Sequence, residues 1–397
     1  MRSKKSIKDM LFRLSIFLLI VGNGSYVSGL FGDTVEYAGL ILLILCELRA
    51  LRLTKSTLKK YLFCVFPIAL MAIGPAVMLT SGRTQLSMLV TTVIVVFFAV
   101  CSGNTFSKDY RFKIAARTAV FACVANGIIG LATGTLGLNW DPQEAILGFV
   151  FLNGFSIKNY CGGVWLIILI LLYIYYLKAG KDKTLKNRFK LAICFLIILL
   201  SGSKGAAALA VLFYCLINYE KWIGIIRSQR KLATIILGGI AVLVGIYLYN
   251  NVFINVTTYA YRMRGVTALI ENFTADSKSM LFGLSNIAYG NSQFDYTTNM
   301  RNYFGWQASV EMAYVNIFIK YGVLGAIAFA LIVKRFFSGL PKLQPADKTI
   351  AFALISILLL SGFVETYMVT IHYVVGPLLY CLLNGIINQR TNVRGNN

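Results

Sequence analysis

An all-α integral membrane protein is the fold class this sequence predicts, and three observations predict it. Twelve apolar segments recur along the 397 residues, centred near positions 20, 41, 70, 93, 125, 169, 196, 212, 243, 323, 358 and 380. The chain is 58% hydrophobic, more than soluble globular domains usually carry. Its net charge of +23 sits in alternate gaps between the apolar segments. Roughly 20 helical residues cross ~30 Å of hydrocarbon. A helix also satisfies its own backbone hydrogen bonds where water is absent. The expectation is one polytopic domain over residues 1–397 with about 12 transmembrane helices.

The elements follow in order. The basic stretch Arg2 to Arg13 and the first apolar run lack a small-residue cleavage site, so they read as a retained anchor. Further basic regions are Arg49 to Lys60, Lys108 to Arg117, Lys178 to Lys190, Lys221 to Lys231, Lys334 to Lys348, and the tail with Arg390 and Arg394. Together these seven regions hold 30 of the 38 lysines and arginines. All fall on one side if the chain crosses at every apolar segment. The positive-inside rule makes that side cytoplasmic, with both termini on it. The charge therefore records orientation, and no nucleic-acid partner is expected. The eight cysteines lie in or beside apolar segments, so no disulfide framework is visible. His372 is the only histidine, and no zinc-type spacing occurs.

The exported gaps are mostly short: 32–36, 81–84, 201–205 and 365–370. Two are larger, at about 138–160 and 255–310, the latter between the ninth and tenth apolar segments. Its arginines, tyrosines and amides suit sugar recognition or an interfacial segment equally. Most informative is Ser201-Gly202-Ser203-Lys204-Gly205, between apolar runs too short to cross a bilayer comfortably. Its apex is expected to dip towards the membrane. A charge there is costly and usually serves a substrate path or a catalytic site. Lys204 also precedes a helix whose free N–H groups favour an anion, so an anionic ligand is expected at the boundary.

Four motifs resemble the bacterial O-antigen ligase and polymerase superfamily, and within it the Wzy-type polymerases. Ser201 to Gly205 resembles the family's exported Ser-Lys-Gly turn. Arg262-Met-Arg-Gly-Val-Thr-Ala-Leu269 with Leu281-Phe282-Gly283 resembles its loop pattern, with Val266, Met280 and Ser285 replacing Trp, Pro and Gly. Glu311-Met-Ala-Tyr314-Val-Asn316, with Lys320-Tyr-Gly322-Val-Leu-Gly325, resembles the segment where the loop re-enters the membrane. Lys158-Asn159-Tyr160 is similar to an element opening a mid-chain helix. Glu311 stands where ligases generally show histidine and polymerases often an acid.

The resemblance implies a helical fold related to the C-type membrane glycosyltransferases (GT-C), in the bacterial cytoplasmic membrane. It implies transfer of a growing glycan from undecaprenyl diphosphate to the next lipid-linked repeat unit at the outer face. No metal or nucleotide cofactor is implied. The partners would be undecaprenyl-diphosphate-linked oligosaccharide, the lipid bilayer and a chain-length regulator protein.

Lys204 and Arg262 suit charge building on a departing diphosphate, and Glu311 suits the acceptor hydroxyl's proton. Arg264, Tyr314, Asn159, Lys158 and Glu365 are expected to bind substrate. If Arg262 and Arg264 lie on a helix, they point to different faces. Plainer readings stay open: headgroup contacts for the arginines, snorkelling for Lys204, a helix N-terminal acid for Glu311 and an interfacial belt for Tyr314. Gly322 and Gly325 read as small-residue helix packing. A ligase to lipid A core and a lipid-linked oligosaccharide flippase are the alternative functions. The flippase would need midplane ionisable or broken-helix features.

Overall fold

The computed structural model describes residues 2–50, 55–80, 86–141, 146–219, 266, 267, 270, 271, 277–283, 312–371 and 373–388. Eleven of the twelve apolar segments fold as helices; the twelfth, near position 243, lies outside the described residues. In chain order the helices are α1 (Arg2–Gly22), α2 (Ser25–Phe31), α3 (Thr34–Ala50), α4 (Lys55–Thr80), α5 (Leu86–Cys101), α6 (Tyr110–Thr133) and α7 (Lys158–Lys178). They continue with α8 (Leu185–Leu200), α9 (Lys204–Ile217), α10 (Ser277–Phe282), α11 (Ala313–Gly339), α12 (Pro345–Ser361) and α13 (Val375–Asn388).

Among the described residues, four stretches are helical, long and apolar enough to cross a membrane: Leu89–Ser107, Tyr110–Thr133, Lys158–Lys178 and Ala313–Lys342. A fifth arises if α2 and α3, bent by 97° at the break between them, count as one broken span. Others are shorter: α8 has 16 residues, α9 and α13 have 14 each, and α12 has 17. The chain is thus a predominantly helical protein with several helices able to cross a bilayer.

Packing centres on α13, buried at every residue from Val375 to Ile386. It touches α5, α7, α11 and α12. Around it, α1 packs on α3 and α6, α4 on α5 and α11, and α9 on α7 and α12. Asn384 is fully buried inside this core and donates to the carbonyls of Phe98 and Ala99, both at 3.1 Å. Those bonds satisfy its amide NH2, whereas its Oδ1 is buried without a hydrogen-bond partner.

Among the described residues, contacts from the basic regions around Asp9, Asp109, Lys178 and Asp347 gather at one end of the bundle. Arg111 pairs with Asp9 at 2.6 Å, and Lys178 pairs with Asp347 at 2.8 Å and Asp109 at 3.3 Å. Glu47, at the end of α3, is buried and accepts from the Asn104 amide at 2.7 Å and from the Thr105 hydroxyl. These contacts join the starts of α1, α6 and α12 to the ends of α3 and α7, as the alternating charge pattern requires.

Three features depart from expectation. The exported gap near 138–160 is not wholly irregular: Leu138–Trp140 (β1) and Phe149–Phe151 (β2) pair antiparallel. The Leu152 amide donates to the Gly137 carbonyl at 2.8 Å and extends the ladder, so an all-α description omits this hairpin. A separate short helix, α2, precedes the first exported gap at 32–36; the Ser25 amide donates to the Gly154 carbonyl at 2.7 Å. Finally, Gly322 is not an ordinary packing glycine. Its φ of 63° and ψ of −158° interrupt α11, a conformation that a side chain would oppose.

Candidate functional site

The Ser201–Lys204 turn is built by its two serines. Ser201 Oγ donates to the Ile198 carbonyl at 2.7 Å and accepts from the Ser203 amide at 3.3 Å. Ser203 caps α9 by accepting from the Ala206 amide at 3.4 Å, which satisfies one of the free N–H groups of the first turn. Gly202 takes φ +73°, as so tight a reversal needs. Both serines are fully buried, whereas Lys204 is exposed. The turn is therefore anchored from beneath while its cation emerges.

Helix α7 supplies the anchor. It begins at Lys158, as its resemblance to a helix-opening element leads one to expect. Ser203 Oγ donates to Asn159 Oδ1 at 3.4 Å. One turn on, a Cβ on Gly162 would run into Ser203 Cβ and come within 2.9 Å of Ser201 Oγ. Only hydrogen at that position lets α7 and the turn approach this closely. Lys158, half-buried, opens the same helix end.

The segment between α12 and α13 closes the site. Glu365 is only 6% exposed, and a Cβ on Gly205 would lie 3.5 Å from Glu365 Oε1. The carboxylate thus lies against the first turn of α9, where the helix dipole favours negative charge. Glu365 itself meets part of the positive field expected to draw an anionic ligand. An incoming anion would therefore meet this place chiefly through Lys204. The Ala313 amide donates to the Glu365 carbonyl at 3.1 Å, which fixes the start of α11 beside the same turn.

Three tyrosines line the neighbourhood. The Tyr160 ring meets Tyr373 at 4.2 Å between centroids, and Tyr373 meets Tyr367 at 5.3 Å. Tyr367 is fully buried, with its hydroxyl facing the backbone of Gly163. Burial, aided by the negative charge of Glu365, pushes the Tyr367 phenol well above its ordinary value and keeps it neutral.

Of the expected site residues, Lys204, Asn159, Lys158 and Glu365 come to the same end of the bundle, opposite the ion pairs around Lys178. Tyr314 is turned elsewhere. Its hydroxyl donates to the Leu359 carbonyl at 2.7 Å and its ring lies 4.8 Å from Phe363, which commits it to α12. Arg262, Arg264, Glu311 and His372 lie outside the described residues, as does most of the 255–310 loop. Among the described residues no group of three His, Cys, Asp or Glu side chains is placed to hold a metal ion.

Sequence reasoning missed Ser203, Gly162 and the tyrosine cluster. Serine three residues before an amide on an apolar run was the available signal for the cap. Nothing local announces that Gly162 faces Ser203, since that contact joins two helices 41 positions apart. No protein-family model matches the chain, and no curated protein matches it.

Proposed function

We propose that the chain is a Wzy-type polymerase of lipid-linked oligosaccharide repeat units, a metal-independent membrane glycosyltransferase acting at the outer face of the bacterial cytoplasmic membrane. In this reading the fold has about 12 spans and belongs with the C-type (GT-C) glycosyltransferases, and both termini are cytoplasmic. The carrying observation is the meeting of Lys204, Asn159, Glu365 and the start of α11 at one end of the bundle, with the ion pairs of Arg111 and Lys178 at the other. Chemistry confined to one face fits that layout better than alternating access does.

The reaction joins an acceptor hydroxyl oxygen to the anomeric carbon of the growing glycan. The bond from that carbon to the undecaprenyl diphosphate oxygen breaks, and the diphosphate departs with the electron pair. Lys204 and Arg262 would neutralise charge that grows on the leaving oxygens, an interaction stronger in the transition state than before it. The hydroxyl proton passes to the Glu311 carboxylate. Arg264, Lys158, Asn159 and Glu365 would position phosphate and sugar hydroxyls.

The test is a gel of surface polysaccharide from strains that carry Lys204→Ala or Arg262→Ala. The proposal expects single repeat units on the final acceptor, with membrane abundance of the protein unchanged. Full-length chains in both variants would refute it. Absence of attached glycan, with polymer stranded on its carrier, would indicate a ligase instead.

A further inference from the structure

Helix α6 carries an exposed apolar stripe, Phe121, Val124, Ile128 and Leu131, spaced so that all four share one face of a helix long enough to cross the membrane. At one end of that helix two other elements fold back along it. The Asn153 side-chain amide donates to the Cys123 carbonyl at 3.1 Å, and Gly154 lies against the Asn126 carbonyl. A Cβ on Gly130 would lie 3.0 Å from both Gly154 Cα and Leu136 Cα, so the base of the β1–β2 hairpin abuts α6 there. Helix α2 is rooted at the same level. The Ser25 amide donates to the Gly154 carbonyl at 2.7 Å, and a Cβ on Gly24 would lie 2.6 Å from Asn126 Oδ1.

Asn126 lies about two turns before the end of α6 at Thr133, which is ~10 Å of helix. Both elements are therefore rooted within the length of a spanning helix, not beyond its end. Irregular backbone persists at that depth only where its polar groups are satisfied. Buried asparagines do this here: besides Asn153, Asn126 donates to the Ile20 carbonyl at 3.1 Å and Asn23 to the Leu19 carbonyl at 2.8 Å.

What these elements turn outward is apolar. Cross-strand partners share a face of the hairpin, so Leu138 and Trp140 stand on the same side as Phe151 and Phe149, while Val150 on the opposite side is buried. Leu138 is 58% exposed and Trp140 77%; Tyr26, Leu30 and Phe31 of α2 are exposed as well. No charged residue interrupts 25–31, 134–140 or 146–157, whereas Asp33 and Asp141 stand just outside those stretches. The 97° bend between α2 and α3 lays α2 across the direction of α3. A water-facing surface seldom gathers so many large apolar side chains. Tryptophan and tyrosine instead collect where hydrocarbon meets headgroups.

We propose that α2 and the β1–β2 hairpin form a collar inserted into the leaflet at this end of α6, with Tyr26, Leu30, Phe31, Leu138 and Trp140 at the boundary between phospholipid acyl chains and headgroups. The occupant of this face is lipid, because the collar is rooted within the membrane's thickness on a helix whose exposed stripe already suits hydrocarbon. The chain runs from the hairpin at Phe151 straight to Lys158, so the collar's seat in the leaflet also sets the height at which α7 starts. The inference is independent of the polymerase reading and needs only that α6 crosses the bilayer.

Tryptophan fluorescence in phosphatidylcholine vesicles tests this. The full chain carrying Trp165→Phe, Trp222→Phe and Trp306→Phe keeps Trp140 as its only tryptophan. Phospholipid brominated near the headgroup should remove most of the Trp140 emission, mid-chain bromines should remove less, and iodide in the water should remove little. Strong quenching by iodide with none by brominated lipid overturns the inference. Protection from both overturns it too, since protein would then cover the face. Because Trp165 is buried and its replacement can unsettle the fold, the unaltered protein is also photolabelled in vesicles with phospholipid that carries a diazirine near the headgroup. Adducts on residues 26–31 and 138–147 support the collar; adducts confined to the spanning helices overturn it.

Discussion

The amide of Ala313 donates to the carbonyl of Glu365 at 3.1 Å, tying the first residue of α11 to the turn between α12 and α13. The Glu365 side chain reaches back to the start of α9. One residue thus joins three chain segments that lie far apart in sequence, through its backbone on one side and its carboxylate on the other.

Glu365→Gln keeps the shape and the backbone bond but removes the charge that faces α9. If the carboxylate orients substrate beside Lys204, long glycan chains should fall by about tenfold or more, within the range of positioned acid–base groups. Solubilised protein should retain wild-type thermal stability to within about 1 kcal/mol, since the carboxylate shares its place with a dipole. Chain-length gels and a fluorescence melting curve check the two halves.

Gly162→Ala places a methyl against Ser203. Overpacking of this kind costs about 1–3 kcal/mol. It should also displace the turn that carries Lys204, lowering polymer length and thermal stability together. Ser203→Ala, which removes the cap without adding bulk, should cost about 1 kcal/mol. Equal stability for Gly162→Ala and the wild type would contradict the close approach of α7 to the turn.

Gly322→Ala forces a side chain into a left-handed conformation against the Leu281 carbonyl. Strain of this type costs about 1–3 kcal/mol. Gly29→Ala is the control, because a Cβ there meets nothing within 4 Å. Melting curves should show a clear loss for the first substitution and little change for the second.

Lys178→Met removes both ion pairs that join the starts of α6 and α12. Asp109 is 63% exposed, so its share is small after solvent screening; Asp347, at 25%, matters more. A loss of about 1 kcal/mol is expected, shrinking when Asp347→Asn is combined with it. Denaturation of the two single variants and the double variant measures that coupling.

The sequence makes some of this legible and hides the rest for identifiable reasons. Charge alternation foretells that the regions of Asp9, Asp109, Lys178 and Asp347 share one end, because that pattern is repeated in every crossing. Helix α9 begins at Lys204, after a Ser-Gly reversal that the letters show. The positive φ of Gly322 is illegible, since a glycine that breaks a helix and one that lets helices pack look alike in a string of letters. The contact of Glu365 with α9 is likewise illegible: periodicity reports which face of a helix is apolar, not which helix ends meet. The β1–β2 hairpin escaped notice because each strand is only three residues long.

Reporter cysteines offer the most direct test of the central claim, that Lys204 stands on the exported side while the Lys178 cluster faces the cytoplasm. Lys204→Cys and Lys181→Cys, both exposed positions, would be treated in spheroplasts with a membrane-impermeant maleimide, with the unaltered protein as the blank. The account predicts labelling of Lys204→Cys in intact spheroplasts, and of Lys181→Cys only after permeabilisation. Labelling of Lys181→Cys from outside, with Lys204→Cys protected, would contradict it.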